Sequence, residues 1–198
     1  MATSTESWEK FLHPDTLKSN LLAISLFITA FENFKESVIS KPISFFCNGF
    51  DENGYIVDKE HETAVLSLAK NKLSATLLWL KELEAIDHSD ITKFNGIRKH
   101  RTEVAHETMA FLADADRDFD VTKFHDLIEL FKKIETWWLI YFEASINPDL
   151  LPEGTDPNEV VSSSIWSLQL MLDIALGNEP EAGYYLKAFK EKAANSKN

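Results

Sequence analysis

The sequence has very few of the residues that build disulfides, thiolate zinc clusters or frequent turns. Its single cysteine, Cys47, cannot form an internal disulfide and has no second thiolate with which to hold zinc. Cys47 lies between aromatic residues in the stretch FFCNGF, which favours a packing role over a nucleophilic one. Only six glycines and six prolines interrupt 198 residues, which favours long elements over many short strands.

Long apolar runs and a basic surface are also missing. The most apolar run, Leu21 to Phe31, is far shorter than the ~20 residues that a membrane span needs. The first residues, MATSTESWEKFLHP, lack the basic and apolar regions of a signal peptide. The net charge of -12 disfavours general attraction to nucleic acids or anionic membranes. We therefore expect a cytoplasmic protein without a membrane or DNA partner, in which any RNA contact uses a local basic patch.

What the sequence does contain is helical periodicity, in a chain that is 44% hydrophobic and can bury a sizeable core. Apolar residues recur at steps of three and four over four segments, approximately 14–41, 59–85, 89–112 and 121–145. Pro42 predicts the end of the first helix, and either Ser89 or Asp90 is expected to cap the third. The predicted fold is all-α, an up-down four-helix bundle with additional C-terminal helices.

The connections between these helices give two further expectations. Two Asn-Gly steps in CNGFDENGYI predict a loop that holds a short hairpin. Asp51, Asn53 and Glu62 fall at positions one, three and twelve of a calcium loop, but the glycine needed at position six is Ile56. An ordinary polar connection is therefore predicted.

After Pro148 the composition changes to a linker rich in turn residues, followed by helical patterns. The predicted domains are a helical bundle over residues 1–147 and a C-terminal helical extension, residues 148–198, packed on the same domain.

The third helix gathers two arginines and two histidines in the stretch IRKHRTEVAHE, inside a chain that is otherwise strongly acidic. At ~100° per residue, Arg101 projects near the middle of the apolar arc, with Arg98 toward one edge. Thr102 and His106 continue beyond that edge, whereas His100 is expected to face solvent. The arc is formed by Ile91, Phe94, Ile97, Val104, Ala105, Met109 and Leu112.

A guanidinium on an apolar face is costly unless it is paired. One interpretation is that Arg101 bonds a carboxylate from another helix, such as Glu32 in the first, and serves only to hold the bundle together. His106 would then be an ordinary half-buried histidine. His100 and His106 are six residues apart, too far around a helix to share a metal ion, and we expect no metal and no cofactor.

The segment Arg101-Thr-Glu-Val-Ala-His106 resembles the Arg-x4-His motif of the HEPN superfamily, helical domains named for higher eukaryotes and prokaryotes nucleotide binding. The resemblance extends at the level of pattern over residues 15–146, with the motif on the third helix of the bundle. It implies a metal-independent endoribonuclease that leaves a 2′,3′-cyclic phosphate. It also implies a symmetric homodimer in which two motif helices meet and form a shared cleft.

The resemblance also implies a role for each matching residue. His106 would transfer the proton of the ribose 2′-hydroxyl or of the leaving 5′-oxygen, and Arg101 would stabilise charge on the phosphoryl oxygens. Thr102, which stands where HEPN ribonucleases usually have Asn, Asp or His, would orient one of these groups. Arg98 and Lys99 would hold the RNA backbone.

The sequence also allows a second function. The chain could be a non-catalytic helical interaction module in which the motif is structural. Its acidic surface would then dock a basic partner protein, as in the toxin-antitoxin and phage-defence sets of HEPN relatives. The composition favours this hypothesis, and the motif favours the ribonuclease.

Overall fold

The computed structural model describes residues 2–52, 54–152, 154–156, 159–177 and 179–195. Within these residues the regular structure is helical apart from one two-stranded hairpin, so the predicted all-α class is confirmed. The chain divides into two compact units, Met1–Ser162 and Ser163–Asn198. The domain boundary after residue 147 and the packing of residues 148–198 on the bundle stay predictions.

The first unit contains the helices around the motif. Its elements, in chain order, are α1 (Ser4–Leu12), α2 (Pro14–Phe45), β1 (Cys47–Asp51), β2 (Gly54–Val57), α3 (Glu60–Ala64), α4 (Lys72–Glu82), α5 (His88–His106), α6 (Thr108–Ala113), α7 (Val121–Trp138) and α8 (Ala144–Ile146). Short 3-10 turns follow α3 and α8, and a π turn joins α7 to α8.

The second unit consists of α9 (Ser163–Leu176) and α10 (Glu179–Asn195), which agree with the predicted C-terminal helices. The two helices contact each other, and the Tyr185 hydroxyl donates a hydrogen bond of 2.8 Å to Asp173 Oδ2. No helix in the described part of the chain is long and apolar enough to cross a membrane.

The predicted end of the first long helix at Pro42 is wrong, because α2 continues to Phe45. Proline in a helix removes one hydrogen bond and disfavours helix at the residue before it. Both Lys41 and Pro42 are nevertheless buried in α2, and Lys41 bonds Glu135 in α7. These tertiary contacts outweigh the local preference.

The predicted single helix over 59–85 is also wrong, because the backbone becomes extended between the 3-10 turn and α4. Ala69 and Asn71 have extended backbone angles, and the Asn71 side chain accepts a hydrogen bond of 3.1 Å from the Ser74 amide. Asn71 is therefore an N-cap, which starts a new helix at Lys72.

Two smaller boundaries differ as well. The N-cap of α5 is Asp87 rather than Ser89 or Asp90, since its carboxylate accepts bonds from both of their amides and Asp90 completes a capping box. The third helix ends at His106, and Glu107 separates it from α6.

The hairpin expected from the Asn-Gly steps is present, with β1 paired antiparallel to β2. Cys47 is half-buried at its start, and Asn53 lies outside the described residues.

The core of the first unit is formed where α2, α4, α5 and α7 pack together. Aromatic rings dominate it: Phe34 meets Phe131 edge-on at 5.5 Å between ring centres, a favoured geometry. Its largest fully buried side chains are Phe27, Phe34, Phe131, Leu77, Leu80, Ile97, Leu127 and Ile134. The up-down order of a four-helix bundle stays a prediction.

One ion pair lies within this core, between α2 and α7. Lys41 Nζ is 2.6 Å from Glu135 Oε1, and each side chain is only 6% exposed. The Ser37 hydroxyl donates a second bond of 2.6 Å to Glu135. Burial favours the neutral acid, but the Lys41 ammonium and the hydrogen bonds bring the pKa of Glu135 below its ordinary value.

Removing one member of this pair should be costly. We expect Lys41→Met to lower the free energy of unfolding by ~3–5 kcal/mol, because it leaves a buried carboxylate without its cation. The double variant Lys41→Met/Glu135→Leu should recover most of that loss. Urea denaturation measures both, with Lys99→Met as the control because Lys99 has a solvent-exposed side chain. If the single and double variants lose the same free energy of unfolding, the unpaired Glu135 carboxylate is not the cause of the loss.

Candidate functional site

Arg101 lies on the wall of an open cleft of about 500 Å³. The cleft is bounded by α2, by the start of α4 with the two residues before it, and by α5. Its charged lining is Lys35, Lys70, Lys72, Arg98 and Arg101, with Glu32 as the one carboxylate among the described lining residues. Five cations against one anion make this basic cleft opposite in sign to the chain, whose net charge is -12.

Local helical geometry explains why these side chains share one cleft. Arg98, Arg101 and Thr102 are three and four residues apart on α5, so they lie on one side of that helix. Glu32 and Lys35 are likewise three residues apart on α2. Lys70 and Lys72 flank Asn71, the cap at which the chain turns into α4.

The ion pair predicted between Arg101 and Glu32 is present, with Arg101 Nη2 2.7 Å from Glu32 Oε1. The position of Arg101 in the apolar arc predicted a place near the middle of the apolar face. Its side chain is 32% exposed, so it lies at the edge of that face instead. Its guanidinium carbon is 5.5 Å from the centre of the Phe31 ring, within cation-π range. Because the pair is half exposed, it stabilises the fold much less than the buried Lys41–Glu135 pair.

Glu32 also bonds a second cation, Lys35, which lies on the same helix as Glu32. Its Oε2 is 2.7 Å from Lys35 Nζ, so each carboxylate oxygen accepts from a different cation. The hydrogen bond from Lys35 lowers the pKa of Glu32 most, burial opposes it, and the bond from Arg101 lowers the pKa further. The carboxylate is therefore ionised at neutral pH.

Arg98 and Thr102 reach the cleft, whereas Lys99 does not. Arg98 Nη1 is 3.4 Å from the Ser74 hydroxyl, and no acidic partner for Arg98 is found among the described residues. The Thr102 hydroxyl donates to the Arg98 carbonyl at 2.9 Å, which leaves its oxygen free to accept. Lys99 has a side chain that is 80% exposed, 3.7 Å from Glu103.

His106 is the exposed last residue of α5 and does not line the cleft. Its exposure differs from the half-buried position expected for a structural histidine. A single chain therefore does not place His106 together with Arg101 in this cleft. The exposed ring is accessible to a substrate or to another chain.

His100 was expected to face solvent, and that prediction is wrong because only 7% of the residue is exposed. It lies three residues after Ile97 and four before Val104, which are both fully buried, so it belongs to the same stripe. Phe111 in α6 and Phe119 before α7 cover this side of α5, at 5.7 and 5.1 Å between ring centres. A helical pattern alone cannot show that a later segment folds over a face.

The sequence pattern did not identify the lysines of the cleft. Lys35 follows Glu32 by three residues on a helix face, which is a weak signal because such charge pairs are usually solvated. The apolar periodicity placed Lys70 and Lys72 within one continuous helix. Recognising Asn71 as an N-cap would have identified the turn that brings them to the cleft.

In the described part of the chain, no group of three or more His, Cys, Asp or Glu side chains is placed to hold a metal ion. No family model, no curated protein and no solved structure matches this chain.

The buried His100 should make stability depend on pH. Burial lowers its pKa, opposed by the charges of Asp120 and Glu103 and assisted by that of Lys123. Between the folded and unfolded pKa values the unfolded chain binds more protons, so the free energy of unfolding should fall as pH drops below about 6.5, the ordinary value. Urea denaturation from pH 7.5 to 5 measures this slope.

The variant His100→Leu should have a shallower slope, since it removes the titrating ring and its Nε2, which has no hydrogen-bond partner among the described residues. The matched control is His106→Leu, which removes an exposed histidine from the same helix and should keep the wild-type slope. An unchanged slope in His100→Leu would show that other groups cause the pH dependence.

Proposed function

We propose that this chain is a HEPN-like protein that binds RNA through the basic cleft and acts, as a homodimer, as a metal-independent endoribonuclease. The observation that carries the proposal is the charge of the cleft, where five cations face one carboxylate in a chain of net charge -12. Such a local reversal of sign matches a phosphate ligand.

The cleft charges can outweigh the acidic remainder of the surface over short distances. Salt screens exposed charges that lie more than ~8–10 Å apart, whereas a phosphate in the cleft would lie within a few ångströms of the cations. Arg98 and Arg101 offer planar guanidinium groups that can each donate two bonds to one phosphate. Contacts of this kind position a nucleic-acid backbone without reading its sequence, so weak sequence preference is expected.

The proposed chemistry uses His106, Arg101 and Thr102. An imidazole takes the proton of the ribose 2′-hydroxyl, whose oxygen then attacks the adjacent phosphorus. The bond to the 5′-oxygen breaks, that oxygen takes up a proton, and a 2′,3′-cyclic phosphate remains. Arg101 stabilises charge on the phosphoryl oxygens, and the free lone pairs of Thr102 accept a hydrogen bond from one of the reacting groups.

The dimer supplies what one chain lacks. Because His106 is exposed at the end of α5 and absent from the cleft lining, a second copy related by a two-fold axis would have to bring its own His106 to this Arg101. Each site would then contain the arginine of one protomer and the histidine of its partner.

The Arg101–Glu32 contact favours a second candidate, a non-catalytic interaction module. In that case the arginine joins α5 to α2, and the acidic surface docks a basic partner protein of the toxin-antitoxin or phage-defence kind. A wild-type protein that neither binds nor cleaves any RNA tested would favour this candidate.

Binding should depend on the cleft lysines. Labelled single-stranded RNA at low salt is expected to bind, and Lys70→Ala/Lys72→Ala should reduce the slope of log affinity against log salt by roughly 0.7 for each phosphate that these lysines neutralise. Fluorescence anisotropy measures the affinity. Lys99→Ala/Lys132→Ala is the matched control, because it also removes two positive charges, both exposed and outside the cleft. Equal weakening by the control would show that the charge acts only through the whole surface.

Cleavage should require His106. We expect His106→Ala to slow RNA cleavage by ~10²–10⁴-fold, the usual contribution of general acid-base catalysis, without lowering the melting temperature. His125→Ala, which removes an exposed histidine of α7, is the control. EDTA should leave cleavage unchanged, and products should end in a 2′,3′-cyclic phosphate.

Mixing inactive His106→Ala and Arg101→Ala chains should restore part of the activity, since one site of each mixed dimer is intact. Cleavage that survives His106→Ala would refute the assigned chemistry.

A further inference from the structure

Glu32 lies in the basic cleft, where an anion would be expected to bind. It is the one carboxylate among the described residues that line the cleft. Its two oxygens accept from two different cations, Oε1 from Arg101 at 2.7 Å and Oε2 from Lys35 at 2.7 Å. The carboxylate therefore uses two of the five positive side chains that the cleft could offer to a ligand.

A carboxylate and a phosphodiester present similar groups to such cations. Each has two anionic oxygens that accept charge-assisted hydrogen bonds from guanidinium and ammonium donors. While Glu32 is in place, neither Arg101 nor Lys35 has all of its donors available. A phosphate that uses both side chains must compete with Glu32 for them.

We infer that Glu32 is an internal competitor that occupies the phosphate position of the basic cleft, and that an RNA phosphate binds there by displacing it from Arg101 and Lys35. This inference rests on the proposed function and adds a means by which affinity is set. Glu32 lowers the affinity of the cleft for RNA, so only ligands that make enough phosphate contacts to displace Glu32 bind tightly.

The surroundings of Glu32 allow that exchange. The side chains of Glu32, Arg101 and Lys35 are 40%, 32% and 47% exposed, so none is fixed in the core. Glu32 and Lys35 also line an adjoining open space of about 460 Å³ along α2, into which the carboxylate can turn. Arg101 also contacts the Phe31 ring, at 5.5 Å from its guanidinium carbon to the ring centre, and this contact does not involve Glu32.

Protonation does not provide the same release at neutral pH. The hydrogen bonds and charges of Lys35 and Arg101 lower the pKa of Glu32, so the carboxylate keeps its charge there. At neutral pH the two cations are therefore freed by exchange of Glu32 for water or another anion, and not by its protonation.

The test compares Glu32→Gln with Glu36→Gln. Both remove one negative charge from α2, but Glu36 does not line the basic cleft. Fluorescence anisotropy with labelled single-stranded RNA at low salt should show Glu32→Gln binding roughly tenfold more tightly than wild type, with a steeper salt dependence. Glu36→Gln should bind like wild type. Melting temperatures establish that each variant is folded.

A further variant, Glu32→Asp, keeps the charge but shortens the side chain by one methylene group. It should bind RNA with an affinity between those of wild type and Glu32→Gln, because a shorter carboxylate reaches both cations less well. This variant separates the effect of the carboxylate's position on RNA affinity from the effect of its charge.

The outcomes distinguish this inference from the proposed function. If wild type binds RNA through the cleft lysines but Glu32→Gln binds no more tightly, the inference fails and the proposed function stands. If Glu36→Gln tightens binding as much as Glu32→Gln, the effect is general electrostatics and the inference also fails. If neither wild type nor Glu32→Gln binds RNA, both are overturned.

Discussion

The first unit depends on α2, a helix of 32 residues against which α1, α4, α5, α6 and α7 all pack. At ~1.5 Å per residue it spans about 48 Å, so one element carries a continuous buried face along the unit. Phe27, Phe31 and Phe34 on that face are at most 5% exposed. The passage of α2 through Pro42 extends that face, because Lys41 and Pro42 are buried as well.

Two of the ion pairs formed by the same helix join it to neighbouring helices, and they differ in environment and therefore in consequence. Lys41 and Glu135 are enclosed, so separating them leaves a charge in a medium of low polarity. Glu32 and Arg101 are half exposed, so water and other ions can replace either partner at small cost. The first pair holds α2 against α7, whereas the second can exchange with a ligand. The distance between donor and acceptor, 2.6 Å in one and 2.7 Å in the other, does not reveal this difference.

The position of the basic cleft follows from the core beneath it. Phe31 is buried and stacks with Phe94 of α5, at 6.5 Å between ring centres, which sets α2 beside α5. Glu32, the next residue, then meets Arg101 at the surface. The charged side chains thus project from helices whose separation is set by aromatic packing, while their ends remain in solvent. This arrangement gives a site a rigid base with side chains that can adjust to a ligand.

The sequence by itself determined the helical class, three of the four long helices and the hairpin, and it indicated that Arg101 needs a carboxylate partner such as Glu32. These features depend on the spacing of residues along the chain or on a charge that needs a partner, and both can be recognised in one sequence. Tertiary structure alone decided that α2 continues past Pro42, because the Lys41–Glu135 pair lies 94 residues apart in the chain. It also decided that His100 is buried and His106 exposed, since the cover over His100 comes from Phe111 and Phe119. Lys35, Lys70 and Lys72 line one cleft with the two arginines for a similar reason. The helix start capped by Asn71 and the packing of α2 on α5 place them there. Neither feature can be predicted from a periodic sequence pattern.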